Sequence, residues 1–144
     1  MRKIFFLALM LCGQPLFAAE DFCATGKTHP IDVWFEKVMA QAEGVTFDIR
    51  NVQGEAYSRW DKELNRVYTE LMNKLDNNED KKKLREAQRA WIKFRDAEVE
   101  LLWAEALYGG IGGTLAPVAV SDMGRKIVRE RVCTLLKYQM MANH

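Results

Sequence analysis

The chain predicts an all-α fold, a small antiparallel bundle of three to four helices with a disulfide-tethered N-terminal arm. Three observations predict it. Apolar residues recur at three- and four-residue intervals over long stretches, no run alternates with the period of two that a half-buried strand requires, and clusters of Asn, Gly and Pro fall between the periodic stretches.

The first segment is not part of that fold. Arg2 and Lys3 form a short positive region, Ile4 to Leu11 an apolar stretch, and Ala18-Ala19 the small residues before a cleavage point, so residues 1–19 read as an export signal and residues 20–144 as one helical domain. The apolar stretch is too short for stable membrane insertion. Leu11 before Cys12 is too large for a lipidation site, so Cys12 is expected to leave with the signal.

The first helix is expected from Pro30, a residue suited to an opening turn, with Ile31, Phe35, Val38 and Met39 on one side up to Gly44. A second is expected from near Phe47 to Leu75, where Trp60, Leu64, Val67, Leu71 and Leu75 follow 4, 3, 4, 4 spacing. Gly54 could divide it. Asp76 to Glu79 is a turn with Asn78 as the expected N-cap of a third helix, which should bury Leu84, Ala87, Trp91, Phe94, Leu101 and Leu107 and run out in the glycines after Tyr108. The last helix should begin after Pro117 and turn Ile127, Val128, Val132, Leu135 and Leu136 inward.

If the second and third helices form an antiparallel hairpin about Asn77-Asn78, Leu71 faces Leu84, Leu64 faces Trp91 and Asp61 comes near Arg95. Two polar stripes would then meet: Asp61, Asn65 and Tyr68 on one helix, and Gln88, Trp91, Arg95 and Glu98 at 3, 4, 3 spacing on the other. The expectation is a polar network of Asp61, Asn65, Tyr68, Gln88, Arg95 and Glu98 that fixes helix register, part of which could face outward as a binding surface.

Removing Arg2 and Lys3 leaves 19 of the 21 basic residues against 20 acidic ones. A neutral chain argues against nucleic acid, which needs a dense basic face. Two cysteines remain, Cys23 and Cys133, and in an oxidising compartment they read as one disulfide closing a loop of 110 residues, with two buried free thiols as the alternative. His29 and His144 are the only histidines, so no metal site, cofactor or catalytic triad is expected, and a catalytic role for Glu98 with Glu105 is less natural than salt bridging.

The blocks Trp60-Asp61-Lys62-Glu63-Leu64-Asn65-Arg66-Val67-Tyr68 and Ala87-Gln88-Arg89-Ala90-Trp91-Ile92-Lys93-Phe94-Arg95-Asp96-Ala97-Glu98 resemble, in order and spacing, the lysozyme-inhibitor LprI N-terminal domain family. The likeness runs from about Ala56 to about Tyr138. It implies an exported periplasmic helical protein, not an enzyme, that binds and inhibits a lysozyme or another cell-wall hydrolase. Many members carry a further Cys after the second block; here Val99 and, approximately, Met123 stand there. Two other roles remain open: an immunity protein against a toxin delivered to the periplasm, and a non-catalytic envelope stress or structural protein. The loop after the third helix has four glycines in five residues, and its Gly110, Ile111, Gly112 and Thr114 are the expected binding tip, the alternative being a simple helix cap and wide turn. The oligomeric state is not legible.

Overall fold

The computed structural model describes residues 22–23, 28–42, 46–107, 113 and 115–142. The expected signal and the loop tip Gly110, Ile111, Gly112 and Thr114 lie outside the described residues. Among the described residues four helices have both bounds, in order α1 Pro30–Gln41, α2 Thr46–Lys74, α3 Asn78–Leu101 and α4 Leu115–Met141, and Phe22 and Cys23 before them are helical as well. No strand occurs among the described residues.

Local chemistry sets the helix ends. His29 opens α1: its Nδ1 accepts from the Ile31 amide at 3.1 Å, and Pro30 behind it costs no hydrogen bond in a first turn. Asn77, and not Asn78, caps α3, because its side-chain oxygen accepts from the Asp80 amide at 2.7 Å. α2 runs unbroken through Gly54. Its apolar spacing resumes on the far side, so tertiary burial outweighs the roughly 1 kcal/mol that a mid-helix glycine costs. α4 begins at Leu115, with Pro117 inside its first turn, where the missing N–H is again harmless.

The main packing pair is α2 with α4, and α3 touches α4 over a shorter length. Trp60, Leu64, Val67 and Leu71 of α2 interlock with Val128, Val132, Leu135 and Leu136 of α4. Gln139 reinforces the pair by donating Nε2 to the Val67 carbonyl at 2.9 Å, which satisfies a polar group inside the core.

The α3 expectation needs correction. Leu84 is buried and Trp91 packs at the core edge, but Ala87, Phe94, Leu101 and Leu107 are exposed. Both the inner line and this outer line recur at three- and four-residue spacing, and a period alone does not say which of two adjacent lines a neighbouring helix covers. Regular α3 also stops at Leu101, with turns following to Leu107.

The N-terminal arm closes over the top of the α2–α4 pair. Cys23 is bonded to Cys133, the two Cα atoms 5.6 Å apart. The bond seats Phe22 in the core, its ring 4.6 Å from His29 and 5.9 Å from Trp60. His29 in turn lies 4.6 Å from Trp60, and Arg129 stands 5.5 Å from both the Phe22 and Trp60 rings. Arg129 also grips both oxygens of Asp32 at 2.8 to 3.1 Å, joining α1 to α4. Arg59 covers the Trp34 ring at 3.8 Å, joining α1 to α2. His29 Nε2 sits 3.8 Å from Glu63. Burial opposes ionisation of Glu63, yet hydrogen bonding from Arg66 and His29 outweighs it and holds the carboxyl at about 2.

Two predictions follow from the arm. Cys133→Ala should lower the melting temperature by about 10 °C or more, since closing a loop of this size contributes at most about 4 to 5 kcal/mol; calorimetry of oxidised and mutant protein measures it. Glu63 ionises at a lower pH folded than unfolded, so its stabilisation is complete above its ordinary value of 4.5 and fades as pH falls toward 2. Denaturant titrations across that window should show a loss of stability that Glu63→Gln reduces.

Candidate functional site

From Asp96 to Gly124 the sequence has five carboxylates, Asp96, Glu98, Glu100, Glu105 and Asp122, and no lysine or arginine. The preceding run from Lys81 to Arg95 holds seven basic residues and one acidic. α3 is therefore basic along most of its length and acidic at its C-terminal end. Carboxylates at that end face the negative pole of the helix dipole, an arrangement that opposes helix stability.

The expected polar network does not assemble as one unit. Asn65 donates to the backbone oxygen and a carboxylate oxygen of Asp61 at 2.9 and 3.3 Å, so that pair stays on the exposed flank of α2. Tyr68 packs half-buried against the core. Arg95 meets Asp96, its neighbour in sequence, at 2.7 to 2.8 Å, and no hydrogen bond or ion pair joins it to Asp61 among the described residues. The reason is geometric: α3 turns the line of Gln88, Trp91 and Arg95 toward α4 rather than α2. Gln88 accepts from Arg131 Nε at 3.0 Å, and the Trp91 ring has Arg131 at 5.6 Å and Arg95 at 5.4 Å. Burial pushes the Arg131 guanidinium below its ordinary value, and its Nη2 has no partner. Glu98 is half-buried.

A cleft of about 400 Å³ opens between the N-terminal half of α2, the C-terminal end of α3 and the start of α4. Gln53 and Tyr57 form its α2 wall, Arg95, Asp96, Val99 and Glu100 its α3 wall, and Val120, Ser121 and Gly124 its α4 wall. Gln53 is only 4 % exposed, and its Oε1 has no hydrogen-bond partner. Beyond the acidic rim stand the exposed apolar residues Trp103, Leu107 and Leu115, which bracket the Gly-rich loop. Gly113, at the edge of that loop, has a φ of +64°, a conformation costly for any residue with a Cβ.

Sequence reasoning missed the cleft and the acidic stretch. The stretch was visible as a gap of basic residues, hidden only by the neutral total. The cleft was not visible, because it depends on how residues of three separate helices meet. No cluster of metal-ligating side chains occurs among the described residues, and no helix there is long and apolar enough to cross a membrane. Ser121 lines the cleft, but its neighbour Asp122 is held by Arg125 and Lys126, which keep that carboxyl below its usual range against the opposing effect of burial.

Arg131→Met should cost about 1 kcal/mol or less, because it removes an incompletely paired charge, while Gln88→Leu should cost about 1 to 3 kcal/mol by leaving the guanidinium with no acceptor. Arg95→Ala should cost under about 1 kcal/mol, since its carboxylate partner Asp96 is mostly in water. Urea titrations of the three variants give the ranking.

The family described as lysozyme inhibitor LprI matches residues 39–135, from the last turns of α1 through Leu135 of α4. The match spans both sequence blocks and every wall of the cleft. No curated protein matches the chain. No solved structure matches it either.

Proposed function

From the premise that the chain belongs to the lysozyme inhibitor LprI family, we propose that it is an exported, non-catalytic protein that binds and inhibits a lysozyme-like peptidoglycan hydrolase. Residues 1–19 serve as its cleaved signal, and the hydrolase is met in the periplasm. The docking surface is the end of the molecule formed by the acidic terminus of α3, the turns to Leu107, the loop carrying Gly110, Ile111, Gly112 and Thr114, and the start of α4.

The observation that supports this reading best is the group Glu98, Glu100 and Glu105, which form no ion pair among the described residues, set beside exposed Trp103, Leu107 and Leu115. Lysozymes are strongly basic proteins. An acidic surface raises the rate of encounter with such a partner, and aromatic and aliphatic side chains supply the contact area that slows its departure. The near-neutral whole chain does not argue against this, because steering depends on the local field within a Debye length of about 10 Å at moderate salt. The unfavourable placement of Glu98 and Glu100 at a helix C-terminus is what a binding surface accepts and a purely structural helix does not need.

The test is a lysis assay with a basic lysozyme and cell-wall suspension, alongside binding kinetics. Stoichiometric inhibition is expected, with an association rate that falls at least about tenfold between 50 and 300 mM salt. Glu105→Lys should slow association, and Trp103→Ala or Ile111→Asp should speed dissociation, all three at unchanged melting temperature. Undiminished lysis at excess protein would remove the inhibitor reading. The exported protein should begin at Glu20 by intact mass and carry no lipid.

A further inference from the structure

Along its side α3 carries a second feature, an uncovered apolar line whose C-terminal end borders that docking surface. Ala87, Ala90, Phe94, Ala97 and Leu101 follow 3, 4, 3, 4 spacing and all five are exposed, Phe94 and Leu101 each at 53 %. The inner line of Leu84 and Trp91 already joins α3 to its own core, so this outer line is surplus to the monomer. Its spacing is that of the seam between two packed helices, and three alanines among the five let backbones approach closely.

The charges along α3 say what covers the line. The helix is basic from Lys81 to Arg95 and acidic from Asp96 to its end, so two copies side by side in parallel set like charges together, while two copies in antiparallel set opposite charges together. We infer that the Ala87–Leu101 face is a self-association surface, on which a second copy of this chain packs its own α3 antiparallel about a twofold axis near Phe94.

The register follows from the symmetry. With Phe94 against the Phe94 of the second copy, Ala87 lies opposite Leu101 and Ala90 comes close to Ala97, so the two Phe94 rings meet at the axis, small residues flank them, and each Leu101 packs on an alanine. On the outer flank Arg89 comes opposite Glu100, and Lys93 opposite Asp96. Arg89, Lys93 and Glu100 form no ion pair within the monomer among the described residues, so they are available for these contacts. The interface is isologous, as a twofold axis requires. One helix per subunit covers less than the roughly 800 Å² per partner of a standard stable interface, so the dimer is weak and dissociates at low concentration. The inference does not rest on lysozyme binding, and the axis leaves Trp103, Leu107 and Leu115 beyond the paired segment.

Sedimentation of the exported protein from about 1 to 500 µM at low and high salt tests it. A monomer–dimer equilibrium is expected, weakening as salt rises. Phe94→Glu should give a monomer at every concentration with an unchanged melting temperature. Arg89→Glu should weaken the dimer at least tenfold, and Arg89→Glu combined with Glu100→Arg should restore it, an exchange that only antiparallel pairing rescues. Monomer at all concentrations overturns the inference. A dimer indifferent to Phe94→Glu overturns it as well. So does a monomer destabilised by Phe94→Glu, which would mean that the chain itself covers the stripe. Inhibition of lysis by the Phe94→Glu monomer reads the proposed function separately.

Discussion

The burial of Trp60 between α2, α4 and the N-terminal arm is the constraint on which the rest of the structure depends. The ring is fully enclosed: Val128 and Val132 share its cluster, Phe22 and His29 lie against it, and Arg129 approaches from the α4 side. Its Nε1 has no acceptor, a cost of about 1 to 3 kcal/mol that the aromatic contacts and the area removed from water must offset. The Cys23–Cys133 bond makes that practical, because it holds the adjacent Phe22 in place against the Trp60 ring. His29 serves three neighbours at once, capping α1 through Nδ1, stacking on Trp60 and facing Glu63 through Nε2. α1, the arm and the α2–α4 pair are thus tied through a single aromatic centre.

With α2 and α4 sealed to each other and to the arm, little apolar surface is left for α3. It is anchored near its start by Leu84 and along its middle by Trp91 and the Gln88–Arg131 hydrogen bond, and its inner side stays half-buried through Glu98 and Val99 to Leu102 while its outer side is left uncovered. Three features accompany this one-sided packing. The cleft opens between α3 and α2, the apolar line from Ala87 to Leu101 is left uncovered, and the acidic end of α3 projects with Trp103 and Leu107. The functional surfaces of this small domain are therefore by-products of incomplete packing, concentrated on the element that contributes least to the core.

The family match and the charge pattern bear on different questions. The match from residue 39 to residue 135 places the chain in the lysozyme inhibitor LprI family and says nothing of which surface acts. The segregation of basic and acidic residues along α3 speaks to surfaces, and it favours a basic partner at one end and an antiparallel copy along the side. Both proposals draw on the same carboxylate, Glu100, so self-association and capture of a basic enzyme are coupled by competition for charge.

The sequence by itself determined the helical class, the bounds of α1 and α2 to within a few residues, the inward lines of α2 and α4, the Cys23–Cys133 bond and the family. Each of those follows from local chemistry or from residues few enough to have one pairing: spacing, caps, turn residues, two cysteines. Only the tertiary structure decided which side of α3 faces inward, that Gln88 and Trp91 meet Arg131 of α4 while Asp61 stays with Asn65, and that Phe94 and Leu101 are left in water. The physical reason lies in helix periodicity. Two adjacent lines on one helix carry the same period, and the choice between them is made by the shape and area a neighbouring helix offers, which is a property of the assembled core and of no segment alone.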